Sequence, residues 1–294
     1  MMHQASIDAD ASLAERIVRA LEEADEPAPV AVGLFDGRQG RCEIFAHYEA
    51  PPAREALLAL IAEAGGNGIG SLVIEEIEPA DWVTLSQGKR GPVSAGRFFV
   101  HGSHDRGKVP LHCYVIEIDA GQAFGTAHHA STRGCLLALD DHLKRHRPRV
   151  IIDIGTGTGI LAIAAANALK RGVLASDSDP IAASIAADNA RANCAASLVS
   201  VLRAHGFLHP RLWRAKADLV LANLLEHALY DLAPELARHI RPGGTAILSG
   251  LTQTQVRAIE ARTRVHGFAI KKRIILDGWA TLVITRRSAR IVRD

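Results

Sequence analysis

The chain has little cysteine, few aromatic residues and almost no net charge. Its four cysteines, Cys42, Cys113, Cys135 and Cys194, are widely separated in 294 residues. None forms a Cys-x-x-Cys pair, which argues against a zinc knuckle or a disulfide framework and points to reduced thiols in a cytosolic protein. The formal net charge is +2, too small to imply nucleic-acid binding by itself. The longest apolar stretch, Val150 to Leu169, is interrupted by Asp153 and three glycines. It reads as strand, loop and helix, so no membrane span is expected. Met1 to Ala11 is polar and carries Asp8 and Asp10. It lacks the apolar core of a signal peptide, and a cytoplasmic location is expected. Aromatics make up 4% against 48% hydrophobic residues overall. A core built from Ala, Ile, Leu and Val suits α/β architecture, where buried parallel strands read as aliphatic runs.

Turn and helix signals divide the chain. Ser12-Leu-Ala-Glu15 is a capping-box pattern ahead of an amphipathic run to about Ala24. Val30 to Phe35 and Arg41 to Tyr48 predict a hairpin around Asp36-Gly37 and Gly40. A second helix is predicted over Ala53 to Ala64 and a strand over Ser71 to Glu78, with a short first strand near Ser6. These elements predict a small N-terminal α+β domain over residues 1–80, of ferredoxin-like type. Residues 81–125 are broken by Gly88, Gly91, Pro92 and Gly96 and read as an interdomain linker with strands at Arg97 to His101 and Leu111 to Ile118. The remainder, 126–294, is assigned to the second domain. From Val150 onward strands alternate with helices, which predicts a parallel sheet covered on both faces, closed by a hairpin around Asp277-Gly278. The fold class expected is α/β, a Rossmann-like domain with the smaller α+β domain before it, and a final antiparallel hairpin on such a sheet is the arrangement typical of class I S-adenosylmethionine-dependent methyltransferases.

The strongest motif is Asp153-Ile-Gly155-Thr-Gly157-Thr-Gly159, after an aliphatic strand and at the start of a helix. Glycines there let the chain turn sharply and let a ligand approach the main chain. A tight turn without a ligand would need neither three alternate glycines nor an acid. The dinucleotide fingerprint Gly-x-Gly-x-x-Gly would put its last glycine at Ile160, one residue later than Gly159. A carboxylate at Asp153 would repel a pyrophosphate but hold the ammonium of S-adenosylmethionine (SAM), directly or through water. The spacing therefore favours SAM. Asp177 ends the next strand, where an acid can accept both ribose hydroxyls of an adenosine. Asp179-Pro180 reads as an N-cap and first helical residue, and an alternative has both acids only capping the helix.

Asp218-Leu-Val-Leu-Ala-Asn223 is a further strand ending in an amide. An Asn at that place projects into the ligand crevice of an open α/β sheet. Its carbonyl can accept from an incoming amine and orient the nitrogen for in-line methyl transfer, which makes Asn223 the catalytic candidate. The alternative is that Asn223 caps the next helix.

Ala123-Phe-Gly-Thr-Ala-His-His-Ala-Ser-Thr132 resembles the loop Ala-Phe-Gly-Thr-Gly-x-His-x-Thr-Thr of the bacterial methyltransferases that modify the eleventh protein of the large ribosomal subunit. Phe124, Gly125, Thr126, His129 and Thr132 match, while Ala127 and Ser131 depart. Asp81-Trp82 and the turn Asn223 to Leu225 agree as well, and the resemblance spans about residues 71–285. It implies a small domain that grips the ribosomal protein and a SAM domain that methylates lysine side chains and an N-terminal amine. By carry-over Phe124, Gly125 and Thr126 line the SAM pocket beside Asp153, Gly155, Gly157, Gly159, Asp177 and Asn223. No metal is expected at His128 and His129, and His129 is given a loop-structuring role. The partner implied is a large-subunit ribosomal protein, with no direct nucleic-acid binding and no membrane. A methyltransferase of another protein or small molecule, and a non-catalytic SAM-binding module, stand as alternatives.

Overall fold

Every pairing in the first sheet is antiparallel, and its order interleaves elements distant in sequence. The computed structural model describes residues 2–22, 24, 26–36, 41–64, 69–77, 91–119 and 129–288, and the chain forms two compact units, Met1–Ser86 and Gln87–Asp294. The first unit runs β1 (Met2–Asp10), α1 (Ala11–Glu22), β2 (Ala31–Asp36), β3 (Arg41–Tyr48), α2 (Arg54–Glu63) and β4 (Ile69–Ile77). Its sheet order is β2-β3-β1-β4, the split βαβ arrangement of ferredoxin-like domains. Alternation drives the packing. Ala5, Ile7 and Ala9 of β1 and Cys42, Ile44 and Ala46 of β3 are buried with Leu13, Ile17 and Leu21 of α1 and Leu57 and Ile61 of α2.

Two local expectations in this unit are corrected. The strand near Ser6 is nine residues long, because as a central strand it pairs on both sides with β3 and β4. The first helix begins at Ala11, before Ser12. Pairing of β1 continues to Asp10 opposite Arg41, which leaves no loop in which Ser12 could act as a cap.

The second unit opens with a small sheet of β5 (Val93–Ala95), β6 (Phe98–His101) and β7 (Tyr114–Glu117). Phe98, Val100 and Ile116 of this sheet join the same core as Cys135, Leu136 and Leu139. The main sheet comprises β8 (Ile151–Ile154), β9 (Val173–Asp177), β10 (Val199–Arg203), β11 (Ala217–Asn223), β12 (Ile240–Thr252), β13 (Phe268–Leu276) and β14 (Trp279–Arg286). Its order is β10-β9-β8-β11-β12-β14-β13. The first five strands run parallel and β14 is antiparallel to both its neighbours. This is the Rossmann-like sheet closed by a hairpin that the sequence predicts. Interleaved are α3 (Ala130–Arg145), α4 (Ile160–Leu169), α5 (Pro180–Ala192), α6 (Pro210–Trp213), α7 (Glu226–His239) and α8 (Val256–Val265).

Both faces of the main sheet are buried, which explains its aliphatic strands. Ile151, Leu219 and Leu221 face one core with residues of α3 and α4, while Ile152, Val220 and Ala222 face another with residues of α7 and α8. Strand order reverses direction between β8 and β11, so the C-terminal ends of these two strands flank a crevice. The sequence reading places no element at α3. The spacing of Cys135, Leu136, Leu139 and Leu143, all buried, is the helical signal that locates it.

Candidate functional site

The loop after β8 is folded by hydrogen bonds that only glycines permit in this shape. Gly155, Gly157 and Gly159 all have positive φ, at 67°, 54° and 82°. Gly155 and Thr156 donate to the carbonyl of Ser176 at 2.8 and 3.0 Å, which ties the loop to the end of β9. At Gly159 a Cβ would lie 3.2 Å from the backbone of Ala186, so this glycine also lets α4 approach α5 closely.

Asp153 lies beneath that loop, 1% exposed. Its Oδ2 accepts from Thr156 Oγ1 at 2.6 Å and from the Ala162 N–H at 3.2 Å. Its Oδ1 is buried and has no partner among the described residues. Burial pushes the carboxyl up to about 7, against the two hydrogen bonds that favour ionisation, and the nearby Asp177 raises it further. A half-satisfied buried carboxylate next to a glycine loop is suited to a cationic group.

Asp177, at the end of β9, accepts from the Gly157 N–H at 2.9 Å and from the Asp179 N–H at 3.1 Å. It therefore clamps two loops together and keeps a free lone pair on each oxygen. Asp179 accepts from the Ile181 N–H at 2.8 Å with Pro180 in the first helical position, so Asp179 is the cap of α5 and Asp177 is not.

Asn223 ends β11. Its Nδ2 donates to Thr132 Oγ1 of α3 at 3.2 Å, and its Oδ1 is buried with no partner among the described residues. The following helix has Leu225 at its N-cap with no side-chain cap bond, so Asn223 does not cap it. Gly250 of β12 makes this turn possible, since a Cβ there would run into the Leu224 backbone.

A cavity of about 420 Å³ opens at the C-terminal ends of four parallel strands. Gly155, Ser178, Ala204 and Leu224 supply one wall, and Phe207 with Leu232 of α7 makes it largely apolar. The sequence reading missed the segment Ala204–Leu208, which follows β10. Its signal is a glycine, Gly206 with φ 55°, at a strand end that the parallel topology brings into the crevice. Phe124, Gly125, Thr126, Ala127, His128 and the pair Asp81-Trp82 lie outside the described residues. His129 is the N-cap of α3, accepts from the Ser131 N–H at 3.3 Å, and meets the Trp279 ring at 65° with 4.6 Å between ring centroids. Among the described residues no cluster of His, Cys, Asp and Glu could hold a metal ion, and no helix is long and apolar enough to cross a membrane.

A family model described as ribosomal protein L11 methyltransferase (PrmA) matches residues 9–287. The chain belongs to the ribosomal protein L11 methyltransferase family. It is 44% identical over 283 residues to the ribosomal protein L11 methyltransferase of Bradyrhizobium diazoefficiens, covering 96% of each chain. It is 40% identical over 280 residues to that of Rhodopseudomonas palustris (strain BisB5), covering 94% of this chain and 95% of the relative. Among solved structures, the ribosomal protein L11 methylase of Lactobacillus delbrueckii subsp. bulgaricus superposes with a TM-score of 0.61 at 27% identity, over 68% of this chain and 100% of that one. Membership of the L11 methyltransferase family agrees with the resemblance seen in the loop before α3 and in the turn Asn223 to Leu225. In this L11 methyltransferase family member Gly155 of the glycine loop and Leu224, next to Asn223, line the apolar cavity, while Asp153 and Asn223 lie on the adjoining strands β8 and β11.

Proposed function

We propose that this chain is a SAM-dependent protein N-methyltransferase whose substrate is ribosomal protein L11, acting on lysine side-chain amines and an N-terminal amine in the cytoplasm. The observation that carries the reading is the pair of buried, unpartnered carboxyl and amide oxygens, on Asp153 and Asn223, at the two strand ends that flank the crevice. The residues present fit SAM. The cavity is apolar enough for an adenine, Asp177 retains acceptor capacity for ribose hydroxyls, and Asp153 Oδ1 suits an ammonium. Phe124, Gly125 and Thr126 are proposed to complete the pocket, as the family loop implies. When bound, SAM supplies an electrophilic methyl group on a sulfonium.

Asn223 does the positioning. Its Nδ2 is occupied by Thr132, which leaves Oδ1 to accept from the incoming amine and aim the nitrogen lone pair. The amine must be neutral to react, and lysine has a reference pKa of about 10.4. A crevice with apolar walls and a nearby cation lowers it, so the proton leaves to water and no dedicated base is required. The N-terminal ferredoxin-like unit, residues 1–80, is proposed to grip the substrate, with 81–125 linking it to the SAM-binding part, 126–294.

The test is intact-mass spectrometry of purified L11 incubated with the chain and SAM. Stepwise methyl additions on lysine are expected, and they should vanish on deletion of residues 1–80 while SAM binding survives. Binding of SAM with no mass change on L11 would leave only the non-catalytic reading.

A further inference from the structure

The whole-chain charge of +2 conceals a strong segregation. Residues 1–86 carry 5 Lys and Arg against 16 Asp and Glu, a net of −11, and residues 87–294 carry 29 against 16, a net of +13. A balanced total therefore says nothing about the surface of either unit.

In the second unit part of this charge gathers at the N-terminal ends of the parallel strands, opposite the crevice. Register places Arg149, two residues before Ile151 of β8, level with Arg171, two before Val173 of β9. The Asp218 and Leu219 N–H groups both donate to the Val150 carbonyl, at 2.8 and 3.2 Å, which sets the start of β11 beside Arg149-Val150, and Ala217 pairs with Ile240 of β12. Lys170 precedes Arg171 directly, and Arg214 and Lys216 lead into β11. All five cations are exposed. The line crosses three neighbouring strands, which at about 4.8 Å per step makes roughly 10 Å.

Carboxylates do not neutralise it. Asp218 is turned inward at 6% exposure, where Oδ2 accepts from the Arg149 and Val150 N–H groups at 2.6 and 3.0 Å, and it pairs with Arg241. Lys216 Nζ donates to the Arg238 carbonyl at 2.6 Å. Among the described residues the side chains of Arg149, Lys170, Arg171 and Arg214 meet no carboxylate. Trp213 stands next to Arg214, 57% exposed, with its ring inclined at 63° to that of buried His239 at 5.8 Å between ring centroids.

We propose that this edge of the catalytic unit binds RNA, with Arg149, Lys170, Arg171, Arg214 and Lys216 on phosphates and Trp213 stacked on a base. Guanidinium forks match phosphate oxygens, and an exposed indole offers the face on which any base can stack. An acidic protein or an anionic membrane would use the charges and could also cover the indole, and the vesicle and W213A measurements separate these from base stacking. The proposal stands independently of the methyl-transfer reading, since the edge lies at the opposite ends of the strands from the crevice.

The experiment is fluorescence anisotropy of a labelled 20-nucleotide polyuridine with the full chain between 50 and 200 mM KCl. Log affinity is expected to fall against log salt with a slope of about −3.5, about −0.7 for each of five phosphates. The variant R149Q/R171Q/R214Q should bind at least about tenfold more weakly with a slope nearer about −1.4, while R257Q/K271Q, on α8 and β13, should match the parent. W213A should weaken polyuridine by about tenfold and leave inorganic polyphosphate binding unchanged. Methyl transfer to L11 by each variant reports that the fold is intact. Equal RNA affinity and slope in the triple variant would overturn the proposal. So would equal retention on phosphatidylserine vesicles with the same dependence on the three arginines, or indifference of polyuridine to W213A.

Discussion

Asn223 at the end of β11 and Thr132 in α3 are joined, Nδ2 to Oγ1 at 3.2 Å, although they are 91 residues apart in sequence. Thr132 is fully buried, so this hydrogen bond ties the amide of Asn223 to α3, and Oδ1 stays without a partner among the described residues. Oδ1 is the proposed acceptor for the substrate amine. Asn223→Ala is expected to lower turnover about a hundredfold, the scale of a misplaced reacting group. Thr132→Val should lower it about fivefold, corresponding to about 1 kcal/mol for one hydrogen bond, and Thr132→Ser should restore it. Single-turnover methylation of L11 separates this from a stability defect, which would show as a shifted melting temperature with normal turnover.

Asp177 accepts from the N–H groups of Gly157 and Asp179, and its remaining lone pairs are the proposed acceptors for ribose hydroxyls. Asp177→Ala is expected to weaken SAM binding by about tenfold to a hundredfold, as for loss of hydrogen bonds to a charged group. Titration calorimetry measures it, and unchanged SAM affinity would reject the ribose assignment.

Gly159 combines a φ of 82° with a Cβ position 3.2 Å from the Ala186 backbone. Gly159→Ala is expected to destabilise the chain by about 1–3 kcal/mol, because α5 must shift and the left-handed conformation is unfavourable for alanine. Urea unfolding followed by circular dichroism gives the number. A midpoint equal to the parent would show that the two helices yield without cost.

Asp153 sets a pH dependence. Burial raises its carboxyl from the ordinary 3.8 to about 7. A raised acid stabilises the fold while protonated, so its contribution is fully present below about pH 4 and is lost as pH rises through about 7. A bound ammonium reverses the preference by favouring the carboxylate. SAM affinity should therefore increase from pH 6 to pH 8, with a proton released on binding at pH 6, whereas Asp153→Asn should bind weakly and independently of pH. Calorimetry in buffers of different ionisation enthalpy counts the proton. No release at pH 6 would remove Asp153 from the cationic site.

The thiols should differ sharply in reactivity. Cys135 is wholly buried and its thiol is pushed up to about 12 by desolvation, while Cys194 is exposed. Ellman's reagent at pH 8 is expected to label Cys194 in the native chain and to reach Cys135 only after unfolding. Peptide mapping of the modified sites checks this, and early labelling of Cys135 would contradict the packing of α3.

The sequence alone determined whatever depends on short spacings. Aliphatic strands from Val150 onward, the alternate glycines of 155–159 and the Asp179-Pro180 cap are local patterns whose backbone geometry leaves few options. The alternation of strand and helix was enough to reach the parallel sheet and its closing hairpin, and the loop before Thr132 was enough to reach the family. Tertiary structure decided what depends on meetings between distant segments. It brought Thr132 to Asn223, placed Ala204–Leu208 in the cavity wall, turned Asp218 inward and aligned cations from three separate strand approaches along one edge. No periodicity in a one-dimensional string encodes these meetings, because they follow from strand order and register, which the packed cores on both faces of the sheet enforce together.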